Sequence, residues 1–134
     1  MKTAASKVSF DELAAQYAAA WSLSNGAFDE KKIALLYAPE GREASHTFVD
    51  GQPWTLPLRR QLWTEAMQEL VLTPEKDLTA VRHGNIAWTT NTQHAVFQQR
   101  DGTRGDFRQF HSAVWEFKDG RWLIVSEHVT VEKP

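Results

Sequence analysis

The stretch Ala113-Val114-Trp115-Glu116-Phe117-Lys118-Asp119-Gly120-Arg121-Trp122-Leu123-Ile124-Val125-Ser126-Glu127-His128-Val129-Thr130 reads as two strands folded about an Asp-Gly turn. If Asp119-Gly120 are the two loop residues, Lys118 faces Arg121 and Trp115 opposes Ile124. Continuing the ladder, Ala113 opposes Ser126 and His111 opposes His128. The next bend upstream, Asp101-Gly102, taken as another two-residue loop, sets His94 against Gln109 and Thr92 against His111. The Gly84-Asn85 turn sets Val81 against Trp88. Side chains alternate across a strand, so these pairs define one sheet face. That face is expected to carry Val81, Trp88, Thr90, Thr92, His94, Gln109, His111, Ala113, Trp115, Ile124, Ser126 and His128. The other face (Asn91, Gln93, Arg108, Glu116 and Glu127 among valines and Phe110) is expected to be partly solvated or interfacial.

Upstream of this meander the pattern is helical. Phe10, Leu13, Ala14, Tyr17, Ala18 and Trp21 share one helical face, behind a Ser9-x-x-Glu12 capping box and before a Ser24-Asn25-Gly26 stop. A shorter helix is predicted over 29–37, with Ile33, Leu36 and Tyr37 inward and Pro39 and Gly41 ending it. Positions 42–49 read as a strand closed by an Asp50-Gly51 turn. Pro57 opens a third helix, whose stripe is Leu58, Leu62, Ala66 and Leu70. Strands are predicted from Val71 on, over 78–83, 86–99, 104–117 and 121–131. The fold class is therefore α+β, three helices ahead of an antiparallel meander, and the whole chain, 1–134, is expected to form one domain.

Composition narrows the function. There is no cysteine, so disulfides, thiolate nucleophiles and cysteine metal sites are excluded, and a reducing, cytoplasmic setting is expected. The net charge of −2, with 24% charged residues, advertises neither nucleic acid nor an anionic membrane surface. No run approaches the roughly 20 apolar residues of a membrane span. No phosphate-binding glycine loop, serine nucleophile elbow or dinucleotide fingerprint is present.

The quoted hairpin resembles the last hairpin of SnoaL-like proteins in the nuclear-transport-factor-2 (NTF2)-like superfamily. Their pattern is an aliphatic-Trp strand, Asp-Gly, Arg-Trp-x-Ile-Val, then His-x-Ser or His-x-Thr, as in His128-Val129-Thr130. The order of helices and strands over nearly the whole chain is similar too. The resemblance implies an NTF2-like cone: three N-terminal helices packed in a strongly curved, mostly antiparallel sheet, with a ligand pocket at the open end and a homodimer made through the outer sheet face. Relatives include ketosteroid isomerase-like enzymes, polyketide cyclases, epoxide hydrolase-like enzymes and a kinase association domain. One fold thus hosts many functions, and function must come from the site. Isomerase-type relatives carry an acidic base near the end of the first strand. This chain has Ser45-His46-Thr47-Phe48 there, and Asp50 only in the turn.

The candidate catalytic residues are His94, His111 and His128 on the expected pocket face, with His46 and Asp50 in the region where relatives keep a base. Candidate ligand-binding residues are Trp54, Trp88, Thr92, Gln109, Trp115 and Ser126. Arg59 and Arg60 could meet an anionic group, although arginines in a helix's first turns are usually solvated. Three facing histidines could hold zinc or iron, but their spacing lacks a metal motif, and the reading calls for no metal and no cofactor. The expected function is binding of a small hydrophobic carbonyl compound, with cofactor-free acid/base chemistry of the isomerase, cyclase or dehydratase type. The alternative is a non-catalytic ligand-binding or oligomerisation module. Nucleic acid and membrane are not expected partners.

Overall fold

A computed structural model of the chain describes residues 9–132. Helix α1 covers Phe10–Ala20, and the predicted capping box forms: Ser9 Oγ accepts from the Glu12 amide at 3.1 Å while the Ser9 amide donates to Glu12 Oε1 at 3.2 Å. Two five-residue helices follow, α2 (Glu30–Ala34) and α3 (Pro39–Glu43), and then strands β1 (Ser45–Val49) and β2 (Gln52–Thr55). Helix α4 spans Leu56–Ala66. The remainder is strand: β3 (Met67–Pro74), β4 (Thr79–His83), β5 (Ile86–Gln99), β6 (Arg104–Lys118) and β7 (Arg121–Glu132). The seven strands form one curved, unclosed mixed sheet in the order β2-β1-β7-β6-β5-β3, with β4 on the remaining length of β5. Among the strand pairs of the described residues, only β1–β7 is parallel.

The α+β expectation is met, with differences in detail. Among the described residues four helices form rather than three, because Pro39 starts α3 at its first position instead of ending the element before it. The Asp50-Gly51 turn, with both residues at positive φ (52° and 77°), returns the chain into β2. The predicted third helix stops at Ala66, and its inward stripe is Leu56, Arg59, Trp63 and, in β3, Met67. Ala66 is exposed and Leu58 and Leu62 are half-buried, so the helical part of the predicted stripe faces away from the core, while Leu70, its fourth member, is buried from β3 and not from a helix.

The sheet register decides where the chemistry goes. Three predicted pairings hold: Lys118 faces Arg121 and Trp115 faces Ile124 across Asp119-Gly120, and Val81 faces Trp88. The other four slip by one residue, at two places. The bend at 101–102 takes in Arg100 as well: Gln99 pairs with Thr103 through a 2.7 Å backbone bond, Gly102 turns at φ 93°, and Gln98 faces Arg104. This is a three-residue hairpin loop, and it puts Asn91, not Thr92, opposite His111. Then Val114 faces Ser126 while Trp115 faces Ile124, so Val125 is an extra residue in β7 with no partner on β6.

Beyond this bulge Ala113 faces Glu127 and His111 faces Val129. Segment 36–44 grips β7 on both sides of it. Ile124 bonds through both backbone groups, to the Leu36 carbonyl (2.8 Å) and from the Ala38 amide (2.9 Å), and the Glu127 amide donates to the Ala44 carbonyl at 3.0 Å. Helix α3 lies so close that a Cβ on Gly41 would stand 1.9 Å from the Ile124 carbonyl oxygen.

Candidate active site

The two slips exchange the faces of alternate residues. On β7 the inward set is Trp122 and Ile124 before the bulge and Glu127, Val129 and Val131 after it. On β5 it is Ala87, Thr89, Asn91, Gln93 and Ala95. Three rows of side chains therefore run across β1, β7, β6 and β5 inside the cone: Val49, Val131, Gln109, Gln93; then Thr47, Val129, His111, Asn91; then Ser45, Glu127, Ala113, Thr89. The helices close over these rows with Tyr17 and Trp21 from α1, Tyr37 after α2, and Arg59 from α4.

Glu127 is the centre of the arrangement, although the sequence reading placed it on the opposite face. It is buried, and its two carboxylate oxygens collect donors from four directions. His111 Nε2 lies 2.8 Å from Oε2, Tyr37 donates to Oε1 at 2.7 Å and Ser45 to Oε1 at 2.5 Å. Arg59 Nη1 is 4.0 Å from the same Oε1. Burial alone would push this carboxyl group upward in pKa. The hydrogen bond and charge of His111, the charge of Arg59 and the Ser45 hydroxyl outweigh it and hold Glu127 at about 2. Glu127 is thus a fixed anion at neutral pH.

Its neighbours are matched to it. Burial raises the Tyr17 phenol well above its ordinary value, opposed by the Arg59 charge, so Tyr17 stays a neutral hydroxyl accepting from Arg59 Nη1 at 2.8 Å. Burial and the Glu127 charge do the same to Tyr37, which also accepts from the Trp21 indole at 3.0 Å. Burial works against the Arg59 charge, but Tyr17, Glu127 and Tyr37 more than offset it. The Arg59 guanidinium lies 3.7 Å from the Trp21 ring centroid. This corrects the expectation of a solvated arginine: Arg59 is 1% exposed.

The His111 ring stacks on Tyr17, with centroids 4.0 Å apart. With Nε2 committed to Glu127, the other nitrogen, Nδ1, is the exchangeable position; it faces Asn91 Oδ1 across a long 3.4 Å contact. A carboxylate that orients an imidazole from behind is the arrangement of a positioned general base. Above His111, Gln109 donates to Gln93 at 2.7 Å. Beyond that pair a cleft of about 480 Å³ opens, walled by Val49, Trp63, Met67, Phe97, Phe107 and Val131, with Gln99 and the Asp106 carboxylate as its polar members. Trp63 stacks on Phe107 (centroids 5.6 Å apart), and Trp54 meets Trp63 edge-on at 5.1 Å. Five buried side-chain polar atoms have no partner among the described residues: Arg59 Nε, Asn91 Nδ2, Gln93 Nε2, Thr47 Oγ1 and, at the other end of β7, Trp122 Nε1.

Of the five candidate catalytic residues, only His111 is in this interior. The register slips put His94 and His128 on the outer face. His94 pairs with Asp106 at 2.9 Å, and His128 stacks on Phe48 with centroids 4.8 Å apart. His46 is exposed beside His128, its partner on β7, and Asp50 is exposed in the β1–β2 turn. The imidazoles at 94, 111 and 128 therefore do not converge, and no group of three or more metal-ligating side chains occurs among the described residues.

Of the candidate binding residues, Gln109 and Trp115 face inward, the latter donating to Thr89 at 2.9 Å. Trp54 is half-buried, edge-on to Trp63, and does not line the cleft. Trp88 and Ser126 are exposed on the outer face, and Thr92 is buried there under Asp77, to which it donates at 2.6 Å. The residues that sequence reasoning missed are Glu127, Asn91, Gln93, Ser45 and Thr47. Residues 122–125 are apolar throughout and set no parity, so the odd-numbered alternation of Val129 and Val131 with Thr130 is the one partial signal, and it leaves the position of the bulge open.

No family model and no curated protein matches the chain. Solved structures do. An NTF2-like superfamily protein from Salmonella enterica serovar Typhimurium is similar at 17% identity, over 79% of this chain and 78% of that one, with a TM-score of 0.61. A hexachlorocyclohexane dehydrochlorinase (LinA) Type2 matches at 9% identity, over 94% and 84%, with a TM-score of 0.68. The association domain of C. elegans CaMKII matches at 17% identity, over 78% and 81%, with a TM-score of 0.52. The fold is the NTF2-like α+β cone, and these neighbours leave its use open. Among the described residues no helix is long and apolar enough to cross a membrane.

Proposed function

We propose that this single domain binds a small hydrophobic carbonyl compound inside the cone. In the same reading it acts without a cofactor, as an acid/base catalyst of the isomerase, cyclase or dehydratase type, with His111 as the proton-transferring group and Glu127 as the residue that positions it. The observation that carries this reading is the 2.8 Å His111–Glu127 contact, its side chains 2% and 0% exposed, one row of side chains beneath the row that borders an aromatic cleft. A buried ion pair is rarely more stabilising than well-packed apolar residues in the same space. A polar cluster in the middle of a core therefore supports a functional use.

The test is solvent-deuterium exchange at carbons next to the carbonyl in a panel of hydrophobic ketones and β-hydroxy carbonyl compounds, followed by proton NMR. Wild-type protein is expected to accelerate exchange, and His111→Gln to lose about 10²-fold or more of it. Exchange that His111→Gln leaves intact would refute the catalytic role.

A specific observation favours the second reading, an oligomerisation module. The outer face carries an exposed apolar set: Val71 and Val96, paired across β3 and β5, are 56% and 52% exposed, and Phe110 is 45% exposed. We read this face as a homodimer surface. Sedimentation equilibrium is expected to give a dimer that Val96→Asp with Phe110→Asp dissociates; a monomeric wild type would refute it. The cysteine-free sequence supports a cytoplasmic setting.

A further inference from the structure

Resting on the reading that a ligand enters the cone, we propose that this ligand is an amphipathic monocarboxylate: its apolar body fills the aromatic cleft and its carboxylate is received by Arg59, Asn91 and Gln93.

The walls change character in step. Trp63 and Arg59 are four residues apart on one face of α4, so the cation is one helical turn below the cleft-lining indole. On β1, Thr47 is the next inward residue below Val49, and on β6 Gln109 is the next below Phe107. On β5, Gln93 and then Asn91 follow Ala95. Each of these walls thus carries an apolar residue toward the mouth and a polar one deeper in. A ligand matched to it is apolar at one end and polar at the other.

The unpartnered atoms say which polar group. Arg59 Nε, Asn91 Nδ2 and Gln93 Nε2 are all N–H donors, and their residues are 1%, 5% and 0% exposed. Acceptors are in deficit, so the incoming group brings acceptor oxygens. Charge favours an anion over a neutral carbonyl. Arg59 shares its nearest counter-charge, Glu127, with Tyr37, Ser45 and His111. Arg59 thus has only a share of one carboxylate, which leaves room for a second, and a carboxylate forms shorter and stronger hydrogen bonds to a guanidinium and to amide N–H donors than a neutral carbonyl does.

The experiment is isothermal titration calorimetry of the full chain with 4-phenylbutyrate, phenylacetate and octanoate. Each is compared with its primary amide and with the methyl ketone of the same length. The carboxylates are expected to bind at least about tenfold more tightly than their amides and ketones. Gln93→Leu and Asn91→Leu, which remove donors and leave the Arg59–Glu127 pair intact, are each expected to weaken the carboxylates about tenfold while changing the ketones little. Ketones or amides that bind as tightly as the carboxylates overturn the inference and leave the cone-binding reading standing. Carboxylate binding unchanged in both variants also overturns it. No binding by any of the nine compounds to folded protein overturns the inference together with the reading beneath it.

Discussion

Replacing Glu127 by glutamine removes the one buried anion around which Tyr37, Ser45, His111 and Arg59 are arranged. The ordinary carboxyl value is 4.5, and here the group titrates at about 2. At 1.36 kcal/mol per pH unit, that gap corresponds to about 3 kcal/mol of preference for the ionised form in the folded state. A folded-state pKa below the unfolded one stabilises the protein above about pH 4.5, and the contribution fades as pH falls toward 2. Glu127→Gln forgoes it, and in addition turns an amide N–H₂ toward donors and leaves the Arg59 charge without its partner. Breaking a buried pair this way costs about 3–5 kcal/mol, against a total stability of about 5–15 kcal/mol for a small domain.

The assay is urea unfolding at a series of pH values, followed by tryptophan fluorescence. At pH 7 the variant's midpoint is expected to fall by about 1.5 M or more for a slope near 2 kcal/mol/M. The gap between wild type and variant is expected to narrow from pH 4.5 downward. A difference below about 1 kcal/mol at pH 7, or one that does not change with pH, would refute the reasoning.

Three further substitutions probe the architecture. Gly41→Ala is expected to cost about 1–3 kcal/mol or more, because the added methyl meets the Ile124 backbone and not a side chain that can turn away; thermal unfolding with no loss of stability would show that α3 can move off β7. His94→Ala and His128→Ala, both on the outer face, are expected to change stability by no more than about 0.5 kcal/mol. They should also leave ligand titrations unchanged; loss of binding in either would return that histidine to the site.

The turns made much of the fold legible. Asp119-Gly120, with φ of 52° and 84°, is a backbone conformation that few other residue pairs adopt, and it fixed the last hairpin correctly up to Trp115. The capping box at Ser9 placed α1 in the same way. The fold class survived errors of detail because helices and strands could still be told apart by period. The site did not survive them, since one residue of slippage moves every side chain to the other face. Val125 reads as an ordinary strand valine, and what makes it a bulge is the docking of segment 36–44, a contact between residues some ninety positions apart. Likewise Asp101-Gly102 is compatible with a two-residue or a three-residue loop, and what draws Arg100 into the loop lies on α4, where its amide donates to the Ala66 carbonyl and its side chain to the Thr64 carbonyl. Arg59 was hidden for a related reason. On α4 its burial depends on Tyr17, Trp21 and Glu127 arriving from three other elements.

The placement of the chemistry rests on the extra residue in β7, and inter-strand nuclear Overhauser effects between backbone protons of β6 and β7 report on it directly. Contacts between Ala113 and Glu127 and between His111 and Val129 are the predicted result. Contacts between Ala113 and Ser126 and between His111 and His128 would mean an unbroken ladder, with Glu127 turned to solvent and the buried carboxylate–imidazole pair gone.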